Sequence, residues 1–207
     1  MTSADPKDTR GVYERRAEDY DAGRSRAFFE ARWLTRFADS LPKGGRVLDL
    51  GCGAGEPIAG WLIREGYRVT GMDFSQPMLD IAAGRFPDGD WRLGDMRTLD
   101  LPDRFHGIIG WDSFFHLTPD EQRATIPRLA RHLEPGGVLM VTVGHIAGEV
   151  TGNVGGETVY HASLSVEDYA RVMDRAGLRL IAYMAEDPYC EFHTVAMARK
   201  TETSDTI

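Results

Sequence analysis

The chain has 207 residues, enough for one domain with a real core. Hydrophobic residues make up 42% and charged residues 27%, as in ordinary soluble proteins, and the formal net charge is −8 from 24 basic and 32 acidic side chains. That balance opposes a grip on nucleic-acid phosphates, and no apolar run reaches membrane-spanning length.

Further exclusions are local. The N-terminus lacks the apolar core of a signal peptide. Cys52 and Cys190 stand far apart and make no disulfide framework, so a reducing, cytoplasmic setting is expected. No internal repeat and no metal-ligand cluster is visible, and no bound metal is expected. The polar ends, Met1–Asp8 and Lys200–Ile207, are expected to fray.

In chain order, the first section runs from Thr9 to Leu41. Tyr13, Ala17 and Tyr20 share a helical face, and Phe29, Trp33 and Phe37 share another behind Ser25, a candidate cap. Both helices have amphipathic faces that would pack on a sheet. The arginines at 10, 15, 16, 24, 26, 32 and 36 alternate with acids and read as a solvated face.

Val47–Leu50 is a short apolar run that ends in Gly51-Cys52-Gly53-Ala54-Gly55, and Pro57 to Ile63 continues at helical spacing. This is buried strand, tight turn and helix, with Pro57 suited to a first helical turn. The glycines allow a ligand to lie against bare main chain at the positive end of the helix. Arg68–Asp73 is the second strand. Its terminal acid follows Gly51 by about 20 residues, where ribose hydroxyls are typically held. Ser75–Gly84 reads as a helix with Ser75 as its cap. Gly94-Asp95-Met96 follows a short third strand, Asp90–Leu93, and Asp95 is placed to meet an adenine amino group. A dinucleotide fingerprint needs glycine at position 56, and Glu56 stands there.

The fourth strand is Phe105–Trp111, the next helix Pro119–His132, and the fifth strand Val138–Gly144. Segment 145–162 has no helical period and little strand pattern, so it is expected to be a long loop, either functional or disordered. Ser165–Ala176 is a helix with Gly177 as its stop, and Leu178–Ala185 and Phe192–Ala198 close the chain as two strands. The alternation of strand and helix implies a mostly parallel sheet with helices on both faces.

Leu48-Asp49-Leu50-Gly51-Cys52-Gly53-Ala54-Gly55, Gly71-Met72-Asp73-Phe74-Ser75, Gly94-Asp95-Met96 and Leu133-Glu134-Pro135-Gly136-Gly137 together resemble the class I S-adenosylmethionine-dependent methyltransferases. The resemblance covers roughly residues 46 to 144 well. It implies a doubly wound, seven-stranded α/β sheet in the order 3-2-1-4-5-7-6 with its last strand antiparallel. The core would span 46–199, residues 1–41 would cap the pocket, and 200–207 would be a flexible tail. S-adenosylmethionine is the implied cofactor, and Tyr20, Asp49, Gly51, Cys52, Gly53, Asp73, Phe74, Met78, Gly94, Asp95, Met96 and Trp111 are expected to hold it. His106 stands where many relatives carry Asp, and no catalytic role is assigned to it.

Doubly wound sheets bind ligands beyond the carboxyl ends of their strands. That rule selects Asp112, His116 and His145 as catalytic candidates. It selects Tyr13, His116, His145, Tyr160 and His161 for the methyl acceptor. His116 and His145 are expected to end strands four and five beside the glycine loop, with neutral imidazole available near pH ~6.5. An Asp112–Glu149 metal pair has no supporting spacing. The expected activity is methyl transfer to an N, O, S or C nucleophile of a small molecule by a monomer or homodimer. A non-catalytic S-adenosylmethionine-binding partner protein and a nucleotide-dependent oxidoreductase are the alternatives.

Overall fold

The computed structural model describes Asp5 and residues 8–202. Residues 1–4, 6, 7 and 203–207 lie outside it, and with them most of the expected fraying ends. Asp8 and Lys200 belong to regular elements.

Seven strands form the main sheet: β1 Arg46–Leu50, β2 Arg68–Asp73, β3 Asp90–Leu93, β4 Phe105–Gly110, β5 Leu133–Val143, β8 Leu178–Asp187 and β9 His193–Lys200. Their spatial order is β3-β2-β1-β4-β5-β9-β8. The β1, β2, β3, β4 and β5 neighbours pair in parallel, and β9 runs antiparallel to both β5 and β8. This is the expected order once β6 Gly148–Val154 and β7 Glu157–Ser163 are set aside as a separate two-stranded sheet.

Side-chain alternation assigns each helix to a face. Leu48, Leu139, Val141, Ala196 and Ala198 point to one side, where they meet α6 Pro119–His132 and α7 Val166–Arg175 through Ile126, Leu129, Tyr169 and Met173. Val47, Val138, Met140, Val195 and Met197 point to the other. There they pack on α3 Ala31–Ala38 and α4 Ile58–Arg64 through Leu34, Phe37, Ala59 and Leu62. Residues one apart on a strand face opposite ways, so a sheet covered on both sides reads as nearly continuous apolar sequence.

The helix starts are chemically defined. Thr118 and Glu121 form a reciprocal capping box on α6, with bonds of 3.3 and 2.9 Å. Ser165 caps α7 by accepting from the Asp168 amide. α5, Gln76–Arg85, begins after Ser75 without a side-chain cap. α3 begins six residues after Ser25, because Phe28 takes a positive φ of 54° and breaks any run from there. Ser25 instead accepts from the Ala27 amide.

The expected loop at 145–162 is the β6–β7 hairpin. Gly155 and Gly156, with φ of 56° and 85°, make its two-residue turn between Val154 and Glu157. α1, Asp8–Arg15, is tied to this hairpin by Arg15 and Arg16, which bond Glu157 at 2.5 and 2.8 Å. The Tyr160 amide also donates to Thr9 Oγ1.

Candidate functional site

The loop after β1 is fixed from below. The Gly51 and Cys52 amides donate to the Met72 carbonyl at 2.7 and 3.1 Å. The Gly53 amide donates to Asp73 Oδ2 at 2.9 Å, and the Ser75 amide to Asp73 Oδ1 at 2.8 Å. Asp73 therefore clamps the glycine loop to the start of α5. Gly51 has its own reason to be glycine: a Cβ there would sit 2.3 Å from Ser113 Cβ. A Cβ on Gly53 would meet nothing nearer than Met78 Sδ at 4.0 Å, so its missing side chain leaves open space.

Two buried carboxylates face that space. Burial pushes Asp49 up to about 7, helped by the charge of Asp73. Burial pushes Asp73 up to about 6, against the three main-chain amides that stabilise its anion. Among the described residues Asp49 Oδ2 has no hydrogen-bond partner.

Above them lies a cleft enclosing about 720 Å³ with its mouth. Tyr13, Tyr20, Asp49, Gly51, Cys52, Gly53, Asp73, Phe74, Met78, Met96, Trp111, Asp112 and His116 all line it. The helical caps α1 and α2, Ala17–Gly23, supply Tyr13 and Tyr20, whose rings meet edge-on at 5.2 Å.

Five expected residues stand outside that cleft. Gly94 packs under Met72, where a Cβ would lie 2.9 Å from the sulfur. Asp95 turns to Arg97, with Nη2 2.6 Å from its Oδ2 and the Arg97 amide 2.9 Å from its Oδ1. Burial would raise Asp95, and the Arg97 bonds outweigh it and hold it below the usual carboxylate range. Arg97 orients this carboxylate, which keeps further lone pairs. His145 is half exposed, 4.0 Å from Glu186, because the chain leaves β5 at Val143 and turns outward into the hairpin. It does not adjoin the glycine loop. Tyr160 is buried beyond the cleft, and its carbonyl holds His116. His161 lines a second cleft, with its ring 4.9 Å from that of His116.

His116 is kept neutral by its burial. Nδ1 lies 2.8 Å from the Tyr160 carbonyl, which only accepts, so Nδ1 carries the proton. Nε2, 3.0 Å from Tyr13 Oη, then accepts from that hydroxyl. Burial pushes this imidazole down to about 4.

The sequence reading missed Arg24, Glu30 and His193. By sequence Arg24 belongs to a solvated face, yet its side chain is only 13% exposed and lines the cleft. It bonds Glu30 at 2.5 Å and stands 3.4 Å from Asp112 Oδ2. His193 sits between the rings of Phe29 and Trp111, stacked at 5.2 and 5.5 Å. Its Nε2 lies 2.9 Å from Asp112 Oδ1 and its Nδ1 2.8 Å from the Cys190 carbonyl. Both partners only accept, so this ring is the imidazolium. Burial lowers it, and Asp112 and the carbonyl raise it to a net value above the ordinary one. Spacing could not signal these residues, since they meet only through tertiary packing.

The sheet order and the flanking helices are the Rossmann-like fold of class I methyltransferases. Residues 47–137 match the methyltransferase-domain family. The chain is 26% identical over 172 residues to dTDP-4-amino-2,3,4,6-tetradeoxy-D-glucose N,N-dimethyltransferase of Saccharopolyspora spinosa, over 78% of this chain and 69% of that protein. Other curated relatives are matched over 43%, 55% and 54% of their own length. Among solved structures it resembles a 1,6-didemethyltoxoflavin-N1-methyltransferase of Burkholderia thailandensis, with TM-score 0.74, 21% identity and coverage of 98% and 93% of the two chains. It also resembles an amino pentose methyltransferase of Micromonospora echinaspora, with TM-score 0.70, 22% identity and coverage of 90% and 96%. No helix among the described residues is long and apolar enough to cross a membrane.

Proposed function

We propose that this chain methylates a small molecule with S-adenosylmethionine as donor, as one domain whose N-terminal helices cap the cofactor. The observation that carries the reading is the orphaned carboxylate oxygen of Asp49 beside the open face of Gly53. A buried anion without a partner is costly, and a ligand ammonium supplies one. Asp49 would take the amino group of the methionine moiety and Arg24 its carboxylate. Asp73, already held by main-chain amides, would use its remaining lone pairs for ribose hydroxyls. Met78, Phe74 and Met96 would flank the adenine, with Asp95 next to Met96 the candidate for its amino group.

When bound, the cofactor supplies an activated methyl that passes to an acceptor's lone pair while the sulfonium becomes a thioether. The chain's part is to hold the acceptor in line and keep water out, an effect worth ~7–11 kcal/mol in well-oriented systems. Tyr13, Tyr20 and Trp111 support that role as walls of the cleft. His116, with both nitrogens engaged inside the protein, orients Tyr13 and is not a free base. The small-molecule acceptor is also suggested by the sugar- and toxoflavin-directed names of the relatives. Two buried free cysteines suit a reducing compartment, and we place the enzyme in the cytoplasm as a monomer or homodimer.

Calorimetry with S-adenosylhomocysteine, S-adenosylmethionine and NAD tests the cofactor assignment. The first two are expected to bind and NAD to give no heat. Labelled methyl transfer into a metabolite extract then separates an enzyme from a silent binder. Absence of binding by both sulfur nucleosides overturns the proposal.

A further inference from the structure

The first cleft is lined by a second buried residue with an unpartnered polar atom. Among the described residues the indole Nε1 of Trp111 makes no hydrogen bond, although the side chain is only 4% exposed and lines the cleft. An indole N–H only donates, and a buried donor left unpaired is costly. The ring is held in place. It stacks on the His193 ring at 5.5 Å, with 25° between the planes. His193 is fixed in turn by Asp112, the Cys190 carbonyl and the Phe29 ring.

Register places this donor beside Asp49. In the parallel pairing of β1 with β4, Asp49 lies opposite Ile109. Paired residues point to the same face of a sheet, and so does the residue two further along. Ile109 and Trp111 pack on the α3–α4 side, which is the side of Val47 and, by alternation, of Asp49. Trp111 follows the end of β4 and stands one step of about 7 Å beyond Asp49 on the adjacent strand. The two orphaned atoms are complementary: Asp49 Oδ2 lacks a donor and Trp111 Nε1 lacks an acceptor. An α-amino acid carries both partners on one carbon, as ammonium and carboxylate. Arg24 lines the same cleft, but its charge is already divided between Glu30 at 2.5 Å and Asp112 at 3.4 Å. The indole N–H has no such prior partner.

We propose that Trp111 Nε1 donates to the carboxylate of the cofactor's methionine tail, and that with Asp49 it makes the cleft selective for nucleosides that carry an intact amino-acid tail. The inference rests on the cofactor reading of the first cleft and adds a receptor for one end of that tail. A hydrogen bond to a carboxylate is roughly twice as strong as one between neutral groups, so a single buried N–H discriminates well. With ammonium and carboxylate both fixed, the chain that leads from them to the sulfur loses rotational freedom. That restriction helps to hold the methyl in line with an acceptor. Trp111 binds the tail and touches no reacting atom. His193 and Phe29 act here by keeping the indole in its plane.

The test compares S-adenosylhomocysteine with 5′-methylthioadenosine, which has the same nucleoside and a thioether but no amino-acid tail. Both are titrated into the full-length protein by calorimetry, and the Trp111 indole N–H signal is followed by nitrogen-edited NMR. The signal is assigned from its loss in Trp111→Phe, or from its contacts with the His193 ring where that variant does not fold. S-adenosylhomocysteine is expected to move the indole proton strongly downfield, as a new bond to a carboxylate does. 5′-Methylthioadenosine is expected to leave it near its free position. Trp111→Phe keeps an aromatic ring against His193 and removes the N–H. It is expected to weaken S-adenosylhomocysteine at least about tenfold and 5′-methylthioadenosine by less than about twofold. An indole signal that answers both nucleosides alike, or neither, overturns the inference, because Nε1 then serves the nucleoside body or a fixed internal water. Equal weakening of both nucleosides by Trp111→Phe overturns it as well, because the residue then only shapes the pocket. In each of those cases S-adenosylhomocysteine still binds, and the cofactor reading stands. Failure of S-adenosylhomocysteine to bind the unaltered protein overturns the cofactor reading and this inference together.

Discussion

Asp49 and Asp73 lie side by side in the floor of the cleft, and their ionisation links ligand binding to pH. Both are held above their unfolded values, at about 7 and about 6. The folded chain thus binds protons that the unfolded chain has released. Their contribution to stability is present at pH values below the ordinary carboxylate pKa and is lost as pH rises through about 6 and 7. A ligand ammonium at Asp49 reverses the effect on that residue by favouring the anion. Binding of S-adenosylhomocysteine at pH 6.5 is therefore expected to release protons. Calorimetry in buffers of different ionisation enthalpy measures them, and Asp49→Asn is expected to abolish the release. Asp73→Ala removes the clamp on Gly53 and Ser75 together with the ribose acceptor. Its expected cost to S-adenosylhomocysteine affinity is ~1–3 kcal/mol, read as a rise in Kd. Unchanged affinity would place the ribose elsewhere.

The β6–β7 hairpin is the element that sequence pattern concealed. Gly148, Glu149, Gly152 and Asn153 all stand on β6, which buries no residue, and β7 buries Val159, Tyr160, Ala162 and Ser163 as adjacent pairs rather than in alternation. The signal that was available is the Gly155-Gly156 pair, the two-residue turn that suits the twist of a hairpin. Gly152 is informative in structure but not in sequence: a Cβ there would lie 2.3 Å from the His161 ring. Gly152→Ala is expected to displace that imidazole and change its NMR signals while far-UV circular dichroism stays the same. The hairpin also anchors the cap, through Arg15 and Arg16 on Glu157. Glu157→Gln breaks a solvent-facing pair. The expected outcome is faster hydrogen exchange in α1 with the core strands unchanged. By contrast, the helices α6 and α7 were readable to within a residue, because Thr118, Ser165 and Gly177 are local signals that no tertiary contact overrides.

At the scale of the whole molecule, the doubly covered sheet was legible because Val47/Leu48, Val138/Leu139 and Val195/Ala196 each serve opposite faces. The polar links between layers were not, since hydrogen bonds over long sequence separations leave no periodic trace. Arg24, His193 and Asp112 are one such link, and Tyr169 is the centre of another. Tyr169 is fully buried on α7, and its hydroxyl donates to Gln122 Oε1 on α6 at 2.5 Å. The Gln122 amide nitrogen donates in turn to the Leu117 and Ala162 carbonyls, at 2.9 and 2.8 Å. The same Tyr169 oxygen accepts from the Leu164 amide and meets Ser163 Oγ at 3.2 Å. Four segments of the chain thus converge on one phenol: α7, α6, the turn after β4 that carries His116, and the end of β7. Tyr169→Phe keeps the ring and the packing but leaves Gln122 Oε1 and the Leu164 amide without their partner in the interior. A buried polar group stripped of its partner costs ~1–3 kcal/mol, so the unfolding free energy is expected to fall by that amount, read as a lower denaturation midpoint with little change in slope. The same substitution loosens the segment that presents the Tyr160 carbonyl to His116. Hydrogen exchange in β7 is therefore expected to quicken more than in β1 or β2, which share no bond with this network. Uniform acceleration across all strands would mean that Tyr169 supports only global stability and does not hold the hairpin against the site.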